Sequence, residues 1–205
     1  MNRRQFFIGS AILALAACGK RRNRAQALPK GSTVLALGDS LTYGYGAAPA
    51  AAYPVQLAML TGWKVINGGV SGDTTADALA RLPGLMRQQP KLVIISIGGN
   101  DFLRKLPEST TRANIGKIIQ TVQAANIPSV LVAIPHFTVG ALFGKLSDHP
   151  LYQEIAEQYR IPLLSGAWSE ILGDKDLKSD QILIAEGYRK FAELLKAFLE
   201  EQGLV

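Results

Sequence analysis

Residues 92–101 read LVIISIGGND, an almost continuous apolar run followed by two glycines, an asparagine and an aspartate. Such a run is typical of a strand buried on both faces of a parallel sheet. Two further segments have the same form, Thr33–Leu37 (TVLAL) and Ser129–Ile134 (SVLVAI). These three segments predict a central parallel sheet with polar residues just beyond the carboxyl ends of its strands.

Segments with helical spacing lie between the predicted strands. Two shorter strand candidates, Lys64–Asn67 and Ile161–Leu164, complete the sheet. The predicted helices are Tyr53–Leu60, Thr74–Leu85, Thr111–Ala125, Leu151–Tyr159 and Gly187–Gln202. This alternation predicts an α/β domain of three layers, with helices on both faces of the sheet. Because ligands of such sheets bind at the carboxyl ends of the strands, any chemistry is expected there.

The positive charge of the chain is concentrated before the predicted domain. Among 205 residues there are 22 Lys and Arg against 16 Asp and Glu, a net charge of +6. Seven of the basic residues and none of the acidic ones precede Gly31, which leaves 15 basic and 16 acidic residues in the domain. A domain without a basic surplus lacks the electrostatic footprint of a nucleic-acid-binding protein, so nucleic acid is excluded as a partner.

The first 30 residues are predicted to form an export signal and a membrane anchor. Phe6–Ala17 is a 12-residue apolar segment, shorter than the roughly 20 residues that cross a bilayer. It leads into Leu15-Ala16-Ala17-Cys18, which resembles the bacterial lipobox, where a signal peptidase cuts before a lipidated cysteine. We therefore expect a signal peptide at 1–17, a basic tether with a lipid on Cys18 at 18–30, and the folded domain at 31–205.

This N-terminal interpretation places the chain in the bacterial cell envelope, in the periplasm or at the outer membrane. An ordinary cleavage site that happens to contain a cysteine is the alternative. Arg3 and Arg4 also resemble a twin-arginine export signal, so the export route stays open. Since Cys18 is the only cysteine, the chain has no disulfide framework and no cysteine-based zinc site.

Three predicted strands run into short polar motifs. Ser40 follows the first strand in Gly38-Asp39-Ser40-Leu41, a position that suits an exposed nucleophile, although a helix N-cap is the alternative. The glycines around Gly72 let backbone N–H groups approach a ligand closely, or simply form a tight turn. Asn100 could donate its amide to a developing negative charge, or form an Asx turn.

Together these motifs resemble the blocks of the SGNH, or GDSL, family of serine hydrolases. Gly38–Leu41 is similar to the nucleophile block, Val70–Thr74 to the second block and Gly98–Asp101 to the third. The segment Gly99–Arg104 is most similar to the bacterial arylesterase and lysophospholipase branch. The resemblance runs from about Thr33 to the C-terminus and implies a flavodoxin-like three-layer fold.

The resemblance also implies roles for single residues. Ser40 would be the nucleophile, and its own backbone N–H, the Gly72 backbone N–H and the Asn100 side chain would form the oxyanion hole. Asp180 occupies the aspartate position of the family's last block, Asp-x-x-His, but the histidine position is Leu183. Leucine has no lone pair and accepts no proton, and a triad without its base retains only about 10³–10⁴-fold catalysis over water.

The residues around this departure also change the expected local structure. Leu183-Ile184-Ala185 favours a helix, so the last helix is expected to begin early, with Ser179 or Asp180 as its cap.

Only two histidines could replace the missing base, His136 and His149. His136 follows a predicted strand through Pro135, so it is expected at the same sheet edge as Ser40, as a substitute base or as a pocket residue. His149 lies next to Asp148 and does not reproduce the three-residue offset of the family. Neither histidine has a ligand partner at a recognisable spacing, so neither a metal site nor a cofactor is predicted.

The sequence therefore predicts a lipid-anchored serine esterase. Ser40 would form an acyl-enzyme with a small-molecule or lipid carboxylic ester, and Leu183 would leave the enzyme impaired. Two other functions stay open: a non-catalytic protein that binds acylated ligands on the same fold, and a carbohydrate O-acetyl esterase.

Overall fold

The computed structural model of the chain describes residues 27–136, 146–179 and 182–205. Its main sheet is parallel, with the strand order β2-β1-β3-β4-β5. The strands are β1 (Thr33–Gly38), β2 (Lys64–Gly69), β3 (Leu92–Ser96), β4 (Ser129–Val132) and β5 (Leu163–Leu164). This order is that of flavodoxin-like sheets, and it confirms the predicted fold class. Cys18 and the predicted signal peptide lie outside the described residues.

Helices cover both faces of the sheet. They are α1 (Ser40–Tyr43), α2 (Tyr53–Thr61), α3 (Thr75–Met86), α4 (Gly99–Leu103), α5 (Glu108–Ala124), α6 (Leu151–Tyr159), α7 (Ala167–Gly173) and α8 (Ala185–Glu201), with one 3-10 turn at Pro49–Ala51. Helices α2, α7 and α8 pack on one another, and α3, α5 and α6 form the second layer. In the described ranges, no helix has both the length and the apolar character needed to cross a bilayer.

The core lies between these layers. All five residues of β3 are buried, as expected for a central strand covered on both faces. On the α8 side, Tyr53, Trp168 and Phe191 pack together, and the rings of Trp168 and Phe191 stack at 3.6 Å. This aromatic cluster fixes α8, and with it the last block of the sequence, against the sheet.

Two edges of the sheet have different roles. The strands begin at what we call the amino edge, which the chain reaches at Leu28; there the Leu28 N–H donates to the Leu204 carbonyl over 2.9 Å. The strands end at the carboxyl edge, where the Gly38–Leu41, Val70–Thr74 and Gly98–Asp101 motifs follow β1, β2 and β3. The two edges are about 20 Å apart, since β1 has six residues with a rise of about 3.3 Å each.

The expectation that the last helix begins at Ser179 or Asp180 is wrong. Ile182–Leu183 is a strand, β7, which pairs antiparallel with β6 (Lys178–Ser179). Ile184 has extended backbone angles and its N–H donates to the Leu177 carbonyl over 3.0 Å, so α8 begins only at Ala185. Burial of the Leu183 side chain in the core stabilises this extended conformation and outweighs the local preference for helix.

Candidate active site

Ser40 is the first residue of α1, directly beyond the carboxyl end of β1. The side chain of Asp39 caps this short helix and accepts from the Leu41 N–H over 3.1 Å. Gly38 is required by close packing, because a Cβ there would lie 2.0 Å from Thr42 Oγ1 and 2.4 Å from the Ser96 carbonyl oxygen. Backbone packing therefore fixes where Ser40 is presented.

The second motif forms a loop that lies against α1. A Cβ on Gly69 would lie 2.1 Å from the Tyr43 nitrogen, so glycine allows this close approach. Gly72 has a φ of +86°, in the left-handed region that favours glycine. Its carbonyl accepts from the Arg104 guanidinium over 2.7 Å, which orients the Gly72 peptide.

Two side chains join the three motifs to one another. Arg81 bonds Asp73 with its Nε over 2.6 Å and donates through Nη2 to the Gly38 carbonyl over 2.8 Å. Asn100 donates through Nδ2 to the Asp73 carbonyl over 2.8 Å. Asp73 thus connects the β1 end, its own loop and the first turn of α4.

A buried carboxylate holds the third motif in place. Asp101 accepts from the Thr75 N–H over 2.8 Å, from the Thr75 hydroxyl over 2.5 Å and from the Thr111 hydroxyl over 3.2 Å. Asn114 donates in turn to the Thr75 hydroxyl over 3.1 Å. These bonds tie α4 to the starts of α3 and α5, and so they fix the direction of the neighbouring Asn100.

The three predicted oxyanion donors all keep a free N–H. Within the described part of the chain, neither the Ser40 nor the Gly72 backbone N–H has an acceptor. Asn100 uses one of its two amide hydrogens on Asp73, which leaves the second to donate. Unused donors at a strand edge are what a developing oxyanion requires.

Burial raises the pKa of Asp39 to about 6, from an ordinary value of 3.8. The carboxylates of Asp73 and Asp101 add to this effect, whereas the hydrogen bond from the Leu41 N–H opposes it. The carboxyl next to Ser40 therefore changes charge close to neutral pH.

Leu183 belongs to the core. It is 4% exposed, and a Cβ on Gly187 would lie 2.5 Å from its Cδ1. The start of α8 nevertheless lies beside the turn that follows α1, because the Tyr188 hydroxyl donates to the Tyr45 carbonyl over 2.8 Å. Asp180 lies outside the described residues, so its predicted role stays a prediction.

The two histidines contact each other at the end of β4. Their ring centroids are 4.4 Å apart, and His149 also stacks on Phe102 of α4 at 4.2 Å. His149 Nδ1 accepts from the Leu151 N–H, and burial lowers the pKa of this histidine. β4 is two strands away from β1, since β3 lies between them, a backbone separation of about 10 Å.

Sequence reasoning assigned no role to Arg81 and Arg104, although both hold the motif loop. Arg104 is the last residue of the segment Gly99–Arg104 quoted for the family resemblance, and Arg81 lies eight residues after Asp73 on the helix that follows it. The one sequence feature that pointed to a role for Arg81 was its position two turns into α3. Its second partner, the Gly38 carbonyl, is 43 residues away in sequence, so only the fold shows the contact.

Comparison with known proteins finds related sequences. A family model described as the GDSL-like lipase/acylhydrolase family matches residues 36–183. The "thioesterase 1/protease 1/lysophospholipase L1" of Escherichia coli (strain K12) is 36% identical over 145 residues, 68% of this chain and 68% of that protein. An arylesterase of Vibrio mimicus is 37% identical over 142 residues, 64% of this chain and 68% of that protein.

Solved structures share the fold. The psychrotrophic esterase EstA from Pseudoalteromonas, in a structure inhibited by monoethylphosphonate, matches with a TM-score of 0.71 and 26% identity over 83% of this chain and 97% of EstA. A crystal structure of TesA matches with a TM-score of 0.74 over 83% of this chain and 99% of TesA. TesA is 23% identical, so that likeness concerns the fold alone.

Proposed function

Because this chain belongs to the GDSL-like lipase/acylhydrolase family, we propose that it hydrolyses carboxylic esters through an acyl-enzyme on Ser40, slowly, since Leu183 stands at the position of the family's histidine. The observation that carries the proposal is the set of three free N–H donors, on Ser40, Gly72 and Asn100, in the motifs at the carboxyl edge of the sheet. The family's fold supports the proposal, and Leu183 cannot act as the proton acceptor.

The proposed reaction has two stages. The Ser40 Oγ attacks the ester carbonyl carbon, and the negative charge on the carbonyl oxygen is stabilised by the three donors. Collapse of this intermediate breaks the bond to the leaving alcohol and leaves an acyl group on Ser40. Water then attacks the acyl carbonyl and releases the carboxylic acid.

The missing imidazole affects both stages. In each, a nucleophilic oxygen loses a proton, which Leu183 cannot accept, so the proton passes to solvent. The rate should then rise with hydroxide concentration up to about pH 9, whereas a histidine base would give a plateau above its pKa of about 6.5. We place His136 in the wall of the site, because its ring lies against His149, which itself stacks on Phe102. A plateau that disappears in His136→Ala would make His136 the base instead.

The substrate class is proposed from two sources. The relatives' names include thioesterase, lysophospholipase and arylesterase activities. Around Ser40 the chain exposes large apolar side chains, of which Tyr43, Val70 and Leu103 are 56%, 44% and 64% exposed. Apolar surface at this edge suits an acyl chain or an aromatic leaving group.

Detection of the acyl-enzyme tests the proposal directly. Without a base, water attacks the acyl group slowly, so incubation with p-nitrophenyl butyrate should add the mass of one butyryl group to the intact chain. Ser40→Ala should stay unmodified, while Ser165→Ala, which removes an exposed serine, should be acylated like the unsubstituted chain. Acylation that persists in Ser40→Ala would refute the assignment of the nucleophile.

A second candidate is a protein that binds acylated ligands without turnover. It is favoured by the burial of Leu183, which supplies packing where the family has an acid–base group. Binding of a long-chain acyl ester, measured by equilibrium dialysis with no acylation and no product, would establish this function. Acetylated sugars belong in the same assay, because their hydrolysis would identify a carbohydrate O-acetyl esterase.

We also propose that the chain is anchored in the bacterial envelope by a lipid on Cys18. The support is the Leu15-Ala16-Ala17-Cys18 motif after a short apolar segment. In a bacterial host, Cys18→Ser should move the chain from the membrane fraction to the soluble fraction. Mass spectrometry should find a lipid on Cys18 of the unsubstituted chain, and an unmodified Cys18 would refute the anchor.

A further inference from the structure

We propose that the amino edge of the sheet is a docking surface for anionic phospholipid headgroups, and that it turns the carboxyl edge with Ser40 towards the aqueous phase. The inference rests on the proposed lipid anchor for its argument about chain length. Its second argument, the distribution of charge in the folded domain, is independent of the anchor and of ester hydrolysis.

Basic side chains lie where the chain enters the strands at this edge. Each of the connections into β1, β2, β3 and β5 carries at least one, and all of them are exposed: Lys30, Lys64, Arg87, Lys91 and Arg160. Within the described ranges, none of the five forms an ion pair or a side-chain hydrogen bond. The charges are therefore available to an external anion.

Carboxylates are few at the amino edge and frequent at the opposite one. The acidic side chains nearest the amino edge are Glu157 at the end of α6 and Glu200 and Glu201 at the end of α8. Glu200 already pairs with Lys196. The carboxyl edge instead holds Asp39, Asp73, Asp77, Asp101 and Asp148. Two cations, Arg81 and Arg104, also lie there, but Arg81 pairs with Asp73 and Arg104 donates to the Gly72 carbonyl. A negatively charged surface should therefore attract the amino edge more strongly than the carboxyl edge.

The N-terminal chain leaves the domain from the same edge. Leu28 is fixed there by its bond to Leu204, and its carbonyl accepts from the Trp63 indole over 3.3 Å. Ten residues from Cys18 to Leu28 span at most about 35 Å when fully extended. Bringing the carboxyl edge to the bilayer would use more than half of that length, since the edges are about 20 Å apart.

Four further cations lie between Cys18 and the domain, in the segment that would join the lipid to the amino edge: Lys20, Arg21, Arg22 and Arg24. A Lys or Arg near an anionic surface contributes about fivefold to the docked population. Loss of three cations should therefore weaken docking on the order of a hundredfold. An ester that reaches Ser40 then comes from the aqueous phase, not from the bilayer that holds the anchor.

Energy transfer to labelled lipid tests this orientation on the full chain in vesicles. Because Cys18 carries the lipid, a cysteine added at Gln88→Cys on the amino edge, or at Leu103→Cys on the carboxyl edge, gives a single dye position. In vesicles that contain phosphatidylglycerol, transfer to a headgroup acceptor should be stronger from position 88 than from position 103. Equal transfer from both positions, or stronger transfer from position 103, would overturn the proposal.

Two triple variants with the same net charge distinguish an effect of the amino edge from an effect of the net charge. Lys30→Gln, Lys64→Gln and Lys91→Gln together should reduce transfer from position 88, as should raised salt. The triple variant Lys105→Gln, Lys117→Gln and Lys175→Gln, with the same net charge, should leave it unchanged. Equal effects of both variants, or the same transfer in pure phosphatidylcholine, would overturn the docking surface. Unmodified Cys18 by mass spectrometry would refute the anchor separately, and ester hydrolysis does not enter these readouts.

Discussion

Replacement of Asp39 by asparagine should stabilise the domain above neutral pH. Burial raises the pKa of this carboxyl to about 6 from 3.8, so the folded state binds its proton more tightly than the unfolded state does. The stabilisation that protonated Asp39 gives the folded state is fully present below pH 3.8 and is lost as the pH rises through about 6. The difference between the two pKa values corresponds to about 3 kcal/mol.

Urea denaturation of both proteins at about pH 4 and pH 8 measures this effect. In Asp39→Asn the side-chain oxygen of the amide can still accept from the Leu41 N–H, so the helix cap is retained. The free energy of unfolding of Asp39→Asn, relative to that of the unsubstituted chain, should be larger at pH 8 than at pH 4 by about 2 kcal/mol, because pH 4 is already slightly above the unfolded pKa. Any cost of the amide that does not depend on pH cancels in this difference.

Asp77→Asn provides the control with the opposite sign. Hydrogen bonds from Thr74 lower the pKa of Asp77, so its contribution is present above the ordinary pKa and lost as the pH falls. This variant should be less stable at pH 8, with the deficit fading in acid. A relative stability of Asp39→Asn that does not change with pH would refute the reasoning about its burial.

Substitutions at three other positions test the packing of the site. Gly38→Ala should lower the melting temperature strongly or prevent folding, because its Cβ would lie 2.0 Å from Thr42 Oγ1; an unchanged melting curve would contradict the geometry. Leu183→His should cost about 1–3 kcal/mol in urea denaturation, since it buries an imidazole in an apolar core, whereas Leu183→Met should cost under about 1.5 kcal/mol. Arg81→Met should lower the Ser40-dependent rate of ester hydrolysis and cost about 1–3 kcal/mol, because Asp73 loses its partner; an unaltered rate and stability would show that the clamp is dispensable.

The strands of the sheet could be predicted because their sequences carry the signal themselves. β1, β3 and β4 are short apolar runs, and burial on both faces gives such runs one stable arrangement. The pairing of β6 with β7 could not be predicted, since Leu183-Ile184-Ala185 has a local preference for helix. Packing of Leu183 in the core, 4% exposed, decides its conformation, and sequence spacing does not report that contact.

The candidate site, like the fold, could be predicted only in part. Ser40, Gly72 and Asn100 could be predicted to lie at one edge because each follows a strand, and a parallel sheet brings strand ends to one edge. Arg81 and the raised pKa of Asp39 were missed, because both depend on neighbours distant in sequence. The order of strands and motifs along the chain predicts which residues meet at an edge of the sheet. The pKa and the burial of a side chain depend on contacts that only the packed structure shows.

The most direct test of the central claim is the rate of p-nitrophenyl butyrate hydrolysis by the full chain and by Ser40→Ala between about pH 6 and pH 9. If the chain is a serine esterase that lacks its base, the rate should be small, should depend on Ser40 and should rise with pH without a plateau. Equal rates in the two proteins at every pH would contradict it and leave a protein that binds esters without hydrolysing them.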